Sequence, residues 1–312
     1  MIQKYIKIKG IVKNMTLAGI IAIASLLVLG CVSAAVNLSN GKKKTELPKV
    51  CGKPLKYPVV MVHGIARNDR GRIFDSWGRI PSVLEANGVE VFYGNTDAWG
   101  GIESNAELLK NTIDEILSGT ENKKVNIIAH SKGGIDSRYC IWKYGYGDKV
   151  ASLTTIATPH HGSIVADYIF DIDQIHSGRI KRRLTAIEKL YGDVNPDIYN
   201  VNYQLTTGKM KEFNERTGAD KRVYYQSLYS TMNDPSDDAF FSISYNYIKK
   251  FVGDNDGLVS EYSACWGENS RKIGNGISHE QIIDHHRRRK TAAMNIPGIY
   301  LDIVNDLGNK GF

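Results

Sequence analysis

A serine hydroxyl becomes a nucleophile when a base can take its proton and the backbone lifts it clear of its neighbours. Ser131 has the setting for this. It lies in Ala129-His130-Ser131-Lys132-Gly133-Gly134, after the apolar run Val125 to Ala129 and before a helical pattern carrying Ile135, Tyr139 and Trp142. Strand, tight turn of small residues, then helix is the context in which a small-x-Ser-x-Gly match presents a nucleophile. Such a turn strains the backbone at the serine and leaves no room for bulk two positions away, where Ala129 and Gly133 stand. The helix N-terminus behind it favours developing negative charge. The predicted chemistry is acyl transfer through Ser131.

That chemistry needs a base, an acid behind the base, and two amide donors for the oxyanion. Eight histidines compete for the base. His63 and His130 belong to turn motifs, and His160 and His161 follow the next strand. His176 falls in an irregular stretch, while His285 and His286 open a basic run expected to face solvent. His279, in Ile277-Ser278-His279-Glu280, is the predicted base. The acid is expected in Gly253-Asp254-Asn255-Asp256-Gly257-Leu258-Val259, with Asp256 preferred at the end of the turn and Asp254 as its rival. Val59-Val60-Met61-Val62-His63-Gly64-Ile65 reads as a strand feeding a loop beside the site. Its Ile65 amide, with that of Lys132 directly after the nucleophile, is the predicted oxyanion hole. The Lys132 side chain is expected to reach solvent.

The elements that must hold these residues alternate. Val59–Val62, Val89–Tyr93, Val125–Ala129, Leu153–Ala157 and Val223–Leu228 are short β-rich runs. Ser104-Asn105-Ala106-Glu107 has the form of a capping box, leading a helix with Ala106, Leu109, Ile113, Ile116 and Leu117 on one face and Gly119 to close it. Pro297 is expected to start a last helix, carrying Ile299, Ile303, Val304 and Leu307 and ending at Gly308. Alternation of this kind predicts an α/β fold, a mostly parallel central sheet flanked by helices, with the chemistry on loops at its C-terminal edge. The rhythm breaks between 164 and 222. There Val165, Tyr168, Ile169, Ile172 and Ile175 recur at helical spacing opposite Asp167, Asp171 and Asp173, followed by Leu184, Ile187, Leu190 and Tyr191.

Taken together, His63-Gly64-Ile65, Ala129 to Gly134, Thr158-Pro159-His160-His161-Gly162-Ser163, Asn255 to Val259 and Ser278-His279 resemble the secreted bacterial triacylglycerol lipases of clostridial and bacillar type. Their α/β-hydrolase fold carries its triad in the chain order Ser, Asp, His. The resemblance implies Ser131 as nucleophile, Asp256 as acid, His279 as base, Ile65 and Lys132 as oxyanion donors, and a helical lid or cap at 164–222. It implies an acylglycerol or other ester substrate at a lipid–water interface. A short-chain carboxylesterase, a polyester depolymerase and a non-catalytic lipid- or surface-binding protein are the alternatives. Many such lipases bind structural calcium through an Asp two positions after the catalytic His, where this chain has Gln281. Asp234, Asp237, Asp238 and Asp284 offer other oxygens. Calcium stays open, the zinc ligands of some relatives do not map here, and no cofactor is required for the chemistry. The disulfide some relatives carry would fall at Tyr262.

Residues 1–14 hold Lys4, Lys7, Lys9 and Lys13 without an acid, and Met15 to Gly30 is uncharged and largely apolar. This predicts a signal peptide over 1–34 and secretion. Val28-Leu29-Gly30-Cys31 offers the alternative of a lipid anchor on Cys31. A polar linker at 35–50 then leads to a catalytic domain over 51–312, of about 260 residues, ample for one core. Removing the four leader lysines takes the formal +7 to +3, and no nucleic-acid-binding signature accompanies it. His285-His286-Arg287-Arg288-Arg289-Lys290 is the one dense basic run, read as a solvated face. Cys140 reads as buried, and no disulfide is assumed between Cys51 and Cys265.

Overall fold

The computed structural model describes residues 53–69, 76–175, 192–285 and 294–312, side chains of 172–175 aside. The predicted signal peptide and linker, Cys31, Cys51, His176, the stretch from Leu184 to Tyr191 and the basic run from His286 onward lie outside the described residues.

In chain order the elements are β1 (Val59–Val62), α1 (Ile80–Ala86), β2 (Val91–Tyr93), α2 (Ile102–Gly119), β3 (Val125–His130), α3 (Lys132–Tyr144), β4 (Val150–Ile156) and α4 (Ile164–Ile175). Then come α5 (Ile198–Gln204), α6 (Thr207–Arg216), β5 (Tyr224–Thr231), α7 (Ser242–Phe251), α8 (Glu261–Ala264), β6 (Ser270–Asn275) and α9 (Ile296–Asn309). The strands pair in parallel in the order β2-β1-β3-β4-β5-β6. β1, β3 and β4 are buried throughout, as a sheet covered on both faces requires. Side chains alternate across it. Val60, Val62, Ile127 and Leu153 join α2 and α3 on one face. Val59, Met61 and Ile128 join α1 and α9 on the other.

Three expectations change. The capping box at Ser104 does not form. Helix α2 starts three residues earlier, with Gly101 as its cap, and the Ile102 N–H donates to Gln204 Oε1 at 2.9 Å. A distant side chain supplies what the local motif offered, and Ser104 sits inside the first turn. Gly119 remains helical, and Thr120 caps the end with its hydroxyl on the Ile116 carbonyl. Gly308 does not end the last helix either. It lies within α9 against the Lys53 carbonyl, where a Cβ would collide, and the chain turns at Gly311 with φ +88°. Strand β6 carries a polar sequence and a half-exposed pattern, so nothing in its periodicity announced it.

The break after Ser163 holds helices α4, α5 and α6. Val165 and Ile169 pack on Ile248 of α7. Asp167, expected on the polar face, turns inward and accepts from the Thr207 amide and hydroxyl at 2.8 Å each.

Candidate active site

Ser131 sits between β3 and α3 with φ +53° and ψ −129°. A non-glycine residue there carries strain of about 1–3 kcal/mol, held by its surroundings. The Ser131 N–H donates to the Ile156 carbonyl, and the Ser131 carbonyl accepts from the Gly134 N–H. Glycine is needed on both sides of the turn. A Cβ on Gly64 would stand 2.7 Å from the Ser131 Cβ, and one on Gly133 would enter the His63 and Val62 carbonyls.

His279 reaches Ser131 from the loop after β6. Its Nε2 lies 3.0 Å from Ser131 Oγ, and its Nδ1 lies 2.7 Å from Asp256 Oδ2. All three residues are buried. The other Asp256 oxygen accepts from the Leu258 and Val259 amides at 2.9 and 2.8 Å, and the His279 N–H donates to the Asp256 carbonyl. The carboxylate is therefore held at both ends. Asp254, the rival acid, is exposed and paired with Lys249. Burial opposes a charge on the His279 ring, but the Asp256 carboxylate, by its charge and its hydrogen bond, outweighs this and raises the pKa above 6.5. The His130 ring lies 4.6 Å away, with its Nε2 at 3.1 Å from the His279 carbonyl. Burial, then the charge of His279, pushes His130 well below 6.5.

Lys132 departs from expectation. Its side chain is buried, with Nζ 2.6 and 2.8 Å from the two Asp136 oxygens. Asp136 also accepts from Asn105 Nδ2 at 3.0 Å. Sequence reasoning missed Asp136 and Asn105. The Lys–Asp spacing of four along a helix otherwise packed on the sheet was the available signal. His285 differs as well: it is half-buried and turned toward Arg67 and Glu280, not toward solvent. His160 is buried, between Arg138 and Thr155, while His161 stacks on the exposed Tyr262. Cys140 is buried, and burial pushes its thiol up to about 12, which makes it inert.

The oxygens considered for calcium are engaged by protein donors. Asp284 takes a bidentate bond from Arg79. Asp238 accepts from the Ser278 hydroxyl and the Phe240 amide. Gln281 Oε1 accepts from the Ser278 amide, and its Nε2 donates to the Asp237 carbonyl. Among the described residues, no cluster of three or more His, Cys, Asp or Glu side chains could hold a metal.

Residues 93–186 match the family described as the PGAP1-like alpha/beta domain. Triacylglycerol lipase 2 of Saccharomyces cerevisiae is 30% identical over 257 residues, covering 76% of this chain and 74% of the yeast protein. This chain belongs to the triacylglycerol lipase family. A triacylglycerol lipase of Pseudarthrobacter phenanthrenivorans is 28% identical over 270 residues, covering 68% of this chain and 84% of that protein. Among solved structures, the mature Bacillus licheniformis lipase superposes with a TM-score of 0.59 at 22% identity, over 85% of this chain and 96% of that one. A metagenomic carboxyl esterase gives 0.65 at 17% identity, over 88% and 82%. The lipase has the α/β-hydrolase fold, and it is a serine ester hydrolase. That sets aside the non-catalytic binding reading.

Proposed function

We propose that this lipase releases fatty acids from acylglycerols through Ser131, His279 and Asp256. The observation that carries the reading is the unbroken run from Asp256 Oδ2 to His279 Nδ1 and from His279 Nε2 to Ser131 Oγ, at 2.7 and 3.0 Å. His279 takes the Ser131 proton as Oγ attacks the ester carbonyl, and Asp256 stabilises the imidazolium. The amides of Ile65 and Lys132 receive the oxyanion. The alcohol leaves with the proton from His279. Water, deprotonated by the same ring, then attacks the acyl-serine and frees the acid.

The basic start and the apolar run from Met15 to Gly30 support export by a cleaved signal peptide, with lipidation at Cys31 as the alternative. The mass of the mature N-terminus separates the two.

Hydrolysis of p-nitrophenyl esters from acetyl to palmitoyl, by wild type and Ser131→Ala, tests the activity. The expected result is turnover that disappears in the variant and extends to long, emulsified esters. Turnover confined to short soluble esters would make the protein an esterase, and equal rates from both proteins would remove Ser131 as nucleophile.

A further inference from the structure

The loop between β2 and α2, residues 94–101, directs its main-chain polar groups outward to three other parts of the molecule. One partner is the segment that returns from the insertion. The Ala98 and Trp99 amides donate to Asp193 Oδ1 and Oδ2 at 3.0 and 2.7 Å. The Val194 and Asn195 amides donate to Asp97 Oδ1 and Oδ2 at 2.9 and 2.8 Å. Each carboxylate thus holds two consecutive amides of the other loop, a reciprocal clamp. The Asp197 N–H adds a bond to the Trp99 carbonyl at 2.7 Å.

From the clamped loop, one path leads to the Ile65 amide. His63 Nε2 lies 3.0 Å from the Thr96 carbonyl, and His63 Nδ1 lies 2.8 Å from the Gly64 carbonyl. The Gly64 carbonyl and the Ile65 N–H share one planar peptide unit. A neutral His63 ring has one N–H and donates to one of these two carbonyls, not both, so the direct tie from the loop to this stretch is main-chain. On the far side of Ile65, the Ala66 N–H donates to the Ala98 carbonyl at 3.0 Å.

A second path leads to Lys132. Asn105 Oδ1 accepts from the Asp97 N–H at 3.1 Å, and its Nδ2 donates to the Asp97 carbonyl at 2.9 Å. The same Nδ2 reaches Asp136, which holds the Lys132 ammonium. Lys132 precedes Asp136 in the helix, the less favourable order for an ion pair along the helix dipole. Helix stability is therefore a poor reason for burying this pair. Anchoring the residue after the nucleophile is a better one.

We propose that loop 94–101 aligns both oxyanion donors at once, and that the Asp97–Asp193 clamp sets this alignment from the returning segment of the insertion. Asp97, Asn105, Asp136 and Asp193 are then positioning residues for ester hydrolysis. The proposal rests on the assignment of the Ile65 and Lys132 amides as oxyanion donors. These must stand about 2.7–3.1 Å from an oxygen whose charge appears only in the transition state. Loosening them lowers kcat and leaves substrate binding in place.

The test measures kcat and KM of wild type, Asp193→Asn and Asp136→Asn on a p-nitrophenyl ester and on its thiono counterpart, whose sulfur is a weak hydrogen-bond acceptor. Asp193→Asn puts a carboxamide N–H against a main-chain N–H and so breaks one arm of the clamp. Each variant is expected to lose about 10- to 100-fold in kcat on the oxygen ester, at unchanged KM. The preference for the oxygen ester over the thiono ester should shrink in parallel, and Asp193→Glu should restore part of it. Variants that keep the wild-type preference, or that lose rate equally on both esters, overturn the alignment role while the donor assignment stands. If Asp136→Asn does not fold, Asp193→Asn, on a half-buried surface loop, decides alone. A wild type with no preference for oxygen would remove the donor assignment itself, and the alignment role with it.

Discussion

An imidazole between a carboxylate and a hydroxyl has its basicity set by its closest charge. His279 is active as a base only when neutral, so its raised pKa places the acid limb of kcat/KM above pH 6.5. Asp256→Asn removes the charge that raises it. The expected outcome is a limb displaced to lower pH and a kcat reduced by about 10⁴-fold, read from the pH–rate profile; an unmoved limb would assign it to another group. Lys132 makes a second prediction at this scale. Lys132→Met leaves the buried Asp136 carboxylate without its cation and is expected to cost about 3–5 kcal/mol in denaturant unfolding. The double change Lys132→Met with Asp136→Leu should recover much of that loss, because both buried charges are then gone.

Helix ends in this lipase are set by distant partners as well as by local ones. Ser104 has the sequence context of a cap but lies inside α2, so Ser104→Ala should stay within about 0.5 kcal/mol of wild type. Asp197 caps α5, accepting from the Asn200 N–H at 3.0 Å. Asp197→Ala is expected to cost about 1 kcal/mol, and thermal or denaturant unfolding of the two variants compares them directly. If Ser104→Ala proved the costlier, the start of α2 at Ile102, capped by Gly101, would be wrong. The site gains from the same logic. The nucleophile turn, the loop after β1 and the loop after β2 all lie at the C-terminal edge of the sheet, where the strand order changes direction between β1 and β3. That edge is where open α/β sheets bind ligands.

Across the whole molecule, buried histidines tie stability to pH. His130 and His160 are both held well below 6.5 by burial, with the charge of His279 and of Arg138 as the respective second causes. The unfolded chain takes protons on both as pH falls below 6.5, while the folded protein does not. Each therefore removes stability in that window, by about 1.4 kcal/mol per pH unit. His279 has the opposite sign: its raised pKa adds stability below 6.5 that is lost as pH rises through its folded value. Below 6.5 the His279 contribution no longer changes, so His130 and His160 leave a net loss on acidification. The unfolding free energy is expected to fall between pH 6.5 and 5.5, and more shallowly in His160→Gln. A flat profile in wild type would mean that these rings are protonated in the folded state.

Much of this was legible along the chain. Short apolar runs and helical stripes mark burial directly, so five of the six strands among the described residues and the alternating architecture could be read from local pattern. Ser131, Asp256 and His279 stand in turns whose small residues and Asp-Gly chemistry report backbone geometry at short range. Choosing Asp256 over Asp254 was different in kind, because both lie in the same turn and only the direction of each side chain separates them. The same holds for Lys132, whose four-carbon stem suits solvent or a buried partner equally until the helix packs. Strand β6 has no apolar alternation, since it sits at the sheet edge and is recruited by register with β5. The clamp between Asp97 and Asp193 joins residues 96 positions apart through main-chain amides, which carry no sequence signature at all. Local sequence determined which backbone shapes form. The tertiary structure alone decided which polar groups meet, because those pairings depend on the approach of segments that have no neighbourhood in the chain.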